Sequence, residues 1–271
     1  MGLALQTVNK VPYRRPVARA RLRPASGKEL CAVYRILRRA HGKAAWWPGE
    51  TPFEVCLGAI LTQNTSWTNV EKALDTLRSR GLLSFAALAR LRTARLARLI
   101  RSSGYFNVKA RRVKSFLDFL FREYAGRVAP MASEEPRALR AKLLGVKGIG
   151  PETADSIVLY AAKLPLFVVD AYTRRIFSRL GYLRGDEDYD AVQRFFMERL
   201  PRDVALYNDY HAQIVLLGKT TCRKRPRCAA CPLERRCEKR GVAMVSSAHV
   251  RQADEDHASA RGSRARHAAA R

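Results

Sequence analysis

Several things are missing from this chain of 271 residues, and each absence narrows the field. No apolar run approaches the roughly 20 residues that a membrane-crossing helix needs, which removes that class. No alternation of apolar and polar residues marks a set of strands, and no internal repeat is evident. No apolar stretch follows the first charges, so a secretory signal is not expected. Negative charge is scarce: Asp and Glu number 24 against 51 Lys and Arg, for a formal net charge of +27. A surplus of that size calls for a polyanionic partner, nucleic acid first and an anionic membrane surface second. Cysteine is rare, six in all, and four of the six crowd towards one end. Such crowding among arginines and lysines suits a metal or an iron–sulfur cluster better than a disulfide framework. The other two, Cys31 and Cys56, lie in apolar surroundings and are expected to be buried free thiols. A reducing cytosol fits this usage.

What is present is helical. Thr51-Pro52-Phe53-Glu54 reads as a capping box with Pro at the first helical position. It opens an apolar stripe at Phe53, Cys56, Leu57, Ile60 and Leu61 with helical spacing. Stripes follow at Val70–Leu77, Phe85–Leu91, Leu96–Ile100 and Val113–Phe121. Further helices are expected at Arg137–Leu144, Pro151–Ala162, Ala171–Leu180, Asp190–Leu200 and Tyr207–Leu217. The apolar stretch Leu166–Val169 passes for a buried strand but is too brief to impose a sheet. The fold class is therefore all-α. Residues 1–27, rich in Arg and broken by Pro12, Pro16 and Pro24, are expected to form a flexible basic arm, with an organelle transit peptide as the alternative. Residues 241–271, rich in Ala, Arg, His and Ser, are expected to be a disordered tail.

Three motifs carry chemistry. In the first, Gly148-Ile149-Gly150 lies between two helical segments. Glycine there permits a tight turn and lets a phosphate approach bare backbone N–H groups, while Ile149 pins the turn and Pro151 starts the next helix. Lys147, just before the turn, is a candidate phosphate contact. The second motif is Val168-Val169-Asp170, an acid placed after an apolar run and before a helix. It is either an N-cap alone or a functional carboxylate. The third is Cys222, Cys228, Cys231 and Cys237, with five, two and five residues between successive members. Four thiolates at this spacing admit zinc as the alternative to a cluster.

The run Leu144-Gly145-Val146-Lys147-Gly148-Ile149-Gly150-Pro151-Glu152-Thr153-Ala154-Asp155 resembles the helix–hairpin–helix DNA glycosylase superfamily in its endonuclease III branch. Leu61-Thr62-Gln63-Asn64-Thr65, Gly104-Tyr105-Phe106-Asn107-Val108-Lys109-Ala110, Val168-Val169-Asp170 and the four cysteines extend the likeness from about Tyr34 to Cys237. The resemblance implies a six-helix barrel over residues 52–164 and a helical domain over 28–51 and 165–240, with duplex DNA lying between them. It implies a [4Fe–4S] cluster on Cys222, Cys228, Cys231 and Cys237, one residue shorter in the first gap than the endonuclease III pattern. It makes Asp170 the catalytic carboxylate, which would stabilise positive charge building on the sugar as the N-glycosidic bond breaks. Gln63 matches the position whose side chain fills the gap left by an extruded base.

One departure matters. Bifunctional members carry a lysine nucleophile in the helix after the hairpin. Here Glu152 stands at that position and cannot form an imine, so a monofunctional enzyme that uses water is expected, with lyase activity doubtful. Trp46-Trp47-Pro48, with Phe53 and Glu152, is similar to the 3-methyladenine DNA glycosylase III subgroup. That pattern implies an aromatic slot for an N-alkylated purine turned out of damaged double-stranded DNA. The competing readings are an endonuclease III-type enzyme for oxidised pyrimidines or abasic sites, and a non-catalytic DNA-binding protein with a metal-stapled loop. A monomer in the cytoplasm, associated with the nucleoid and not with a membrane, completes the expectation.

Overall fold

Polar caps set the helix starts in the computed structural model, which describes residues 21–44 and 46–242. The helices are α1 (Gly27–His41), α2 (Pro52–Leu61), α3 (Trp67–Arg78), α4 (Phe85–Arg90), α5 (Thr93–Leu99), α6 (Phe106–Tyr124), α7 (Pro136–Leu144), α8 (Pro151–Ser156), α9 (Ala171–Arg179), α10 (Tyr189–Met197) and α11 (Val204–Thr220). Ser26, Thr51, Ser84, Glu135, Asp170, Asp188 and Asp203 each accept a hydrogen bond from a first-turn backbone N–H. Proline holds the first position of α2, α7 and α8, where no partner for its missing N–H is needed. Among the described residues there is no strand, and Leu166–Val169 runs extended and buried without one. No helix among them is long and apolar enough to cross a membrane.

Burial places the helices. In α2 eight residues of ten are buried, apolar on every side, so this helix is central and not peripheral. It packs against α3, α6, α8 and the turn that follows α8. A second group forms where α11 packs on α1 and α9. Gly218 permits the α9 contact, because a Cβ there would lie 2.3 Å from the Tyr172 ring. Phe167, Phe177, Phe196 and Tyr210 fill this second group, with Phe167 stacked on Phe196 at 4.2 Å between ring centres. Contact between α11 and the turn after α8 joins the two groups.

Several expected boundaries shift. The helix expected over Pro151–Ala162 is α8 followed by a π turn at Ile157–Ala161, a wider winding that recurs at functional sites. The α6 helix starts seven residues before Val113 because Lys109, polar by sequence, is buried. Its ammonium donates to Leu61 O at 2.8 Å and Ser103 O at 2.6 Å, closing the C-terminal end of α2. The Thr51 box is half made. Thr51 accepts from Glu54 N, but the Glu54 carboxylate turns to Glu50 N and Arg78. The expected basic arm is tethered over its last residues: Arg23 N donates to Gly181 O, and its guanidinium lies 4.9 Å over the Tyr182 ring. The rest of the arm, residues 1–20, and the tail from residue 243 lie outside the described residues.

Candidate active site

The loop after α2, the turn before α8, the start of α9 and one face of α11 enclose a cleft of about 2460 Å3, including the solvent open to it. Gly148 takes φ +92°, and a Cβ there would meet the Arg112 side chain at 2.4 Å, so the turn needs glycine twice over. Ile149 is buried and anchors it. Gly150 caps α8 and Lys147 is exposed outside the cleft. Ile149 N is spent on Val146 O at 3.0 Å, so the backbone N–H groups of Gly148 and Gly150 are the ones presented near the helix start, an arrangement suited to an anion.

Asp170 is the N-cap the sequence offered, and it also lines the cleft. Its Oδ1 caps α9, accepting from Thr173 N at 2.7 Å and Thr173 Oγ1 at 2.8 Å. Its Oδ2 is not used by the cap and lies 3.7 Å from His211 Nε2 at the cleft wall. The residue is only 8% exposed. Glu152 lines the same cleft one helical position after Pro151. It is open to the cleft but ringed by protein. That enclosure, reinforced by the charge of Asp170, pushes its carboxyl up to about 7.

Trp46 and Trp47 both line the cleft, with ring centres 5.5 Å apart. Trp47 also packs against Trp67 and Tyr160, at 5.2 and 5.1 Å, so it serves packing and cleft together. Pro48 and Phe53 do not line the cleft. Pro48 is exposed, and Phe53 packs against the core because it belongs to the inward stripe of α2. Gln63 reaches the cleft but is engaged with protein. It donates to Gly148 O at 3.1 Å and Thr153 Oγ1 at 2.9 Å, and accepts from Arg112.

Four residues were not singled out in the sequence: Arg112, His211 and Lys219, which line the cleft, and Tyr160, buried behind Trp47. Lys219 holds its ammonium 5.8 Å over the Trp46 ring. Arg112 and Lys219 are basic residues in a chain full of them, and His211 is a lone histidine within a buried helix. No local signal sets any of them apart.

Cys222, Cys228, Cys231 and Cys237 are free and line one small pocket of about 310 Å3 on the same measure as the cleft. Arg179, almost fully buried, crosses behind it, donating to Cys222 Sγ at 3.2 Å and to Arg223 O at 2.7 Å. Among the described residues no three Cys, His, Asp or Glu converge closely enough to hold a single metal ion. Cys56 is buried as expected, while Cys31 is only partly so.

Helices that bring a glycine hairpin and a carboxylate to one cleft define a narrow class. The sequence pattern of the HhH-GPD superfamily of base excision DNA repair proteins matches residues 57–202. The chain belongs to that superfamily and is a DNA glycosylase of it. A Methanocaldococcus jannaschii protein, named provisionally as a DNA repair glycosylase, is 44% identical over 207 residues, covering 76% of this chain and 94% of the relative. Endonuclease III of Thermotoga maritima is 31% identical over 191 residues, 69% of this chain and 83% of the relative. Among solved structures, the H. pylori 3-methyladenine DNA glycosylase bound to 1,N6-ethenoadenine superposes with a TM-score of 0.64 at 28% identity. It covers 72% of this chain and 98% of its own. An endonuclease III–DNA complex shares the fold, with a TM-score of 0.68 at 23% identity over 80% of this chain and 97% of its own.

Proposed function

We propose that this chain is a monofunctional glycosylase that removes N-alkylated purines from double-stranded DNA by hydrolysis. One observation carries the reading. Glu152, which by resemblance stands where bifunctional relatives carry their lysine, lines the cleft that Asp170 also lines with one carboxylate oxygen free. The likeness to a glycosylase crystallised with an alkylated-type adenine supports the substrate class.

The extruded base lies against Trp46 and Trp47. An N-alkylated purine carries delocalised positive charge, and stacking on aromatic faces favours it by about 1–2 kcal/mol in a dry site. The same charge makes the base a good leaving group, so a single carboxylate suffices. Asp170 stabilises the sugar cation and takes the proton of the attacking water. The amides of Gly148 and Gly150, with Ile149 pinning the turn and Lys147 beside them, hold a phosphate, and Gln63 enters the gap left by the base. Residues 52–164 act as the barrel and residues 28–51 with 165–240 as its partner domain. The protein works as a monomer on chromosomal DNA in the cytoplasm.

The residues at the end of the chain fit a [4Fe–4S] cluster. Four free thiols line one pocket, a soft donor set suited to iron and sulfide. Cys222, Cys228, Cys231 and Cys237 would hold the cluster, which would staple a loop carrying Arg223, Lys224, Arg225, Arg227, Arg235 and Arg236.

A second reading rests on Lys219, the one lysine lining the cleft. It would make the enzyme a lyase through an imine. Its ammonium lies 5.8 Å over the Trp46 ring. Incubation with duplexes carrying 3-methyladenine separates the readings. Free base, alkali-dependent breaks and no borohydride-trapped adduct are expected, and Asp170→Asn loses excision by about 1000-fold or more with DNA binding retained. Strand nicks with a trapped adduct that disappears in Lys219→Ala would establish the second reading instead.

A further inference from the structure

His211 lies within α11, 4% exposed, and its ring forms the back wall of the cleft. Its two nitrogens are treated differently by the fold. Nδ1 meets Tyr160 Oη at 2.6 Å, across 51 residues of sequence. Nε2 is buried, and no protein group among the described residues makes a hydrogen bond to it. Asp170 Oδ2 lies 3.7 Å from it, too far for a direct bond and suited to a bridging water.

The proton positions follow from the surroundings. Burial pushes the Tyr160 phenol well above its ordinary range, so Tyr160 keeps its proton and donates it to Nδ1. Burial also lowers the His211 pKa, only partly offset by Asp170, so the ring is neutral near pH 7. A neutral ring that accepts at Nδ1 carries its own proton on Nε2, the edge facing Asp170. Tyr160 sits on the π turn at Ile157–Ala161, and that turn packs against α11. The other ionisable groups around this cleft are Glu152, Tyr172, Tyr189, Lys219 and Arg112.

We propose that His211 Nε2–H and Asp170 Oδ2 together hold the water that attacks the sugar, with Tyr160 fixing the histidine tautomer; this rests on the hydrolytic reading above. The water accepts one hydrogen bond from Nε2–H and donates one to Oδ2. That leaves a lone pair free to bond to the sugar C1′. As the bond forms, the C1′–N bond breaks, its electron pair neutralises the alkylated purine, and the proton of the water passes to Asp170. His211 gives up no proton in the step. It is a positioning residue that turns an arbitrary solvent molecule into an oriented nucleophile.

The test is single-turnover excision of 3-methyladenine from duplex DNA with the full chain. His211→Leu is expected to lose about 100-fold in rate with DNA affinity changed less than about threefold. His211→Gln, whose amide places a donor near the former Nε2, is expected to recover most of that loss. Tyr160→Phe, which keeps the packing and removes only the hydroxyl, is expected to lose about tenfold. With methanol present, the wild type yields the hydrolysed sugar, while His211→Leu yields a rising share of the methyl glycoside. A role confined to packing would leave that partition unchanged. Equal rates for His211→Leu and wild type, or equal partition in both, overturns the inference alone. A wild type that releases no alkylated base overturns the functional reading and the inference together.

Discussion

At the scale of single residues, the site is a set of groups whose environments push them apart. Asp170 spends one oxygen on the α9 cap and keeps the other for the cleft, so an acid rigid enough to be structural remains available for chemistry. Glu152 differs. Its folded pKa, about 7, lies above the ordinary carboxyl value because its enclosure and the neighbouring Asp170 both disfavour charge. A carboxyl raised in this way binds its proton more tightly in the folded than in the unfolded chain. Its contribution to stability is full below the unfolded value and is lost as pH rises through about 7. Melting temperatures of wild type and Glu152→Gln should therefore coincide below about pH 4. The Gln variant should melt increasingly higher as pH rises to about 7, and the gap should level off above that. An unchanged difference across that range would mean that Glu152 is not perturbed.

At the scale of elements, the hairpin and the α6 staple set the geometry of the cleft. Gly148→Ala places a Cβ against Arg112 and forces a left-handed backbone on a residue that resists it. A stability loss of about 1–2 kcal/mol is expected. DNA affinity should fall equally for damaged and undamaged duplexes, because a phosphate contact carries no base information. Lys109→Met removes a buried ammonium from two buried carbonyls. A loss of about 2–3 kcal/mol by denaturant unfolding is expected, since each acceptor is left without a partner. The sequence shows most of the helices, because α2, α3 and α9 carry apolar stripes, two of them behind a side-chain cap. It hides α1, although Ser26 and Glu29 stand at its start. Burial of Lys109 is equally hidden, because only α2 and the turn before α6 supply its acceptors. The triad of Tyr160, His211 and Asp170 is illegible for the same reason. Its members lie 10 and 41 residues apart in the chain, on three elements, and only packing brings them together. Asp170 and the hairpin are legible because their chemistry depends on neighbours in sequence.

At the scale of the whole molecule, charge governs encounter. With a net charge of +27 the affinity for duplex DNA should fall steeply with salt. A slope of about −5 in log affinity against log salt is expected for five or six neutralised phosphates, measurable by fluorescence anisotropy. A slope near zero would contradict a phosphate-tracking interface. The cysteine-rich segment ties into this scale as well. Analysis of purified protein should find iron and sulfide in equal amounts. Cys231→Ser should lower both, weaken DNA binding, and leave the packing around α2 intact as read by hydrogen exchange. Zinc with no iron would overturn the assignment of the cluster.

Arg23 and Arg240 tie distant stretches of the chain together. The guanidinium of Arg23 donates to Arg236 O, that of Arg240 donates to Arg21 O, and Tyr182 Oη donates to Glu29. The first and last described stretches of the polypeptide are thus buttoned to one another at a single corner. Whatever is attached ahead of residue 21 and whatever is attached beyond residue 242 must set out from nearly the same spot. Two dyes placed there would report on this seam by energy transfer, and dimming of that signal would mark the moment the button opens.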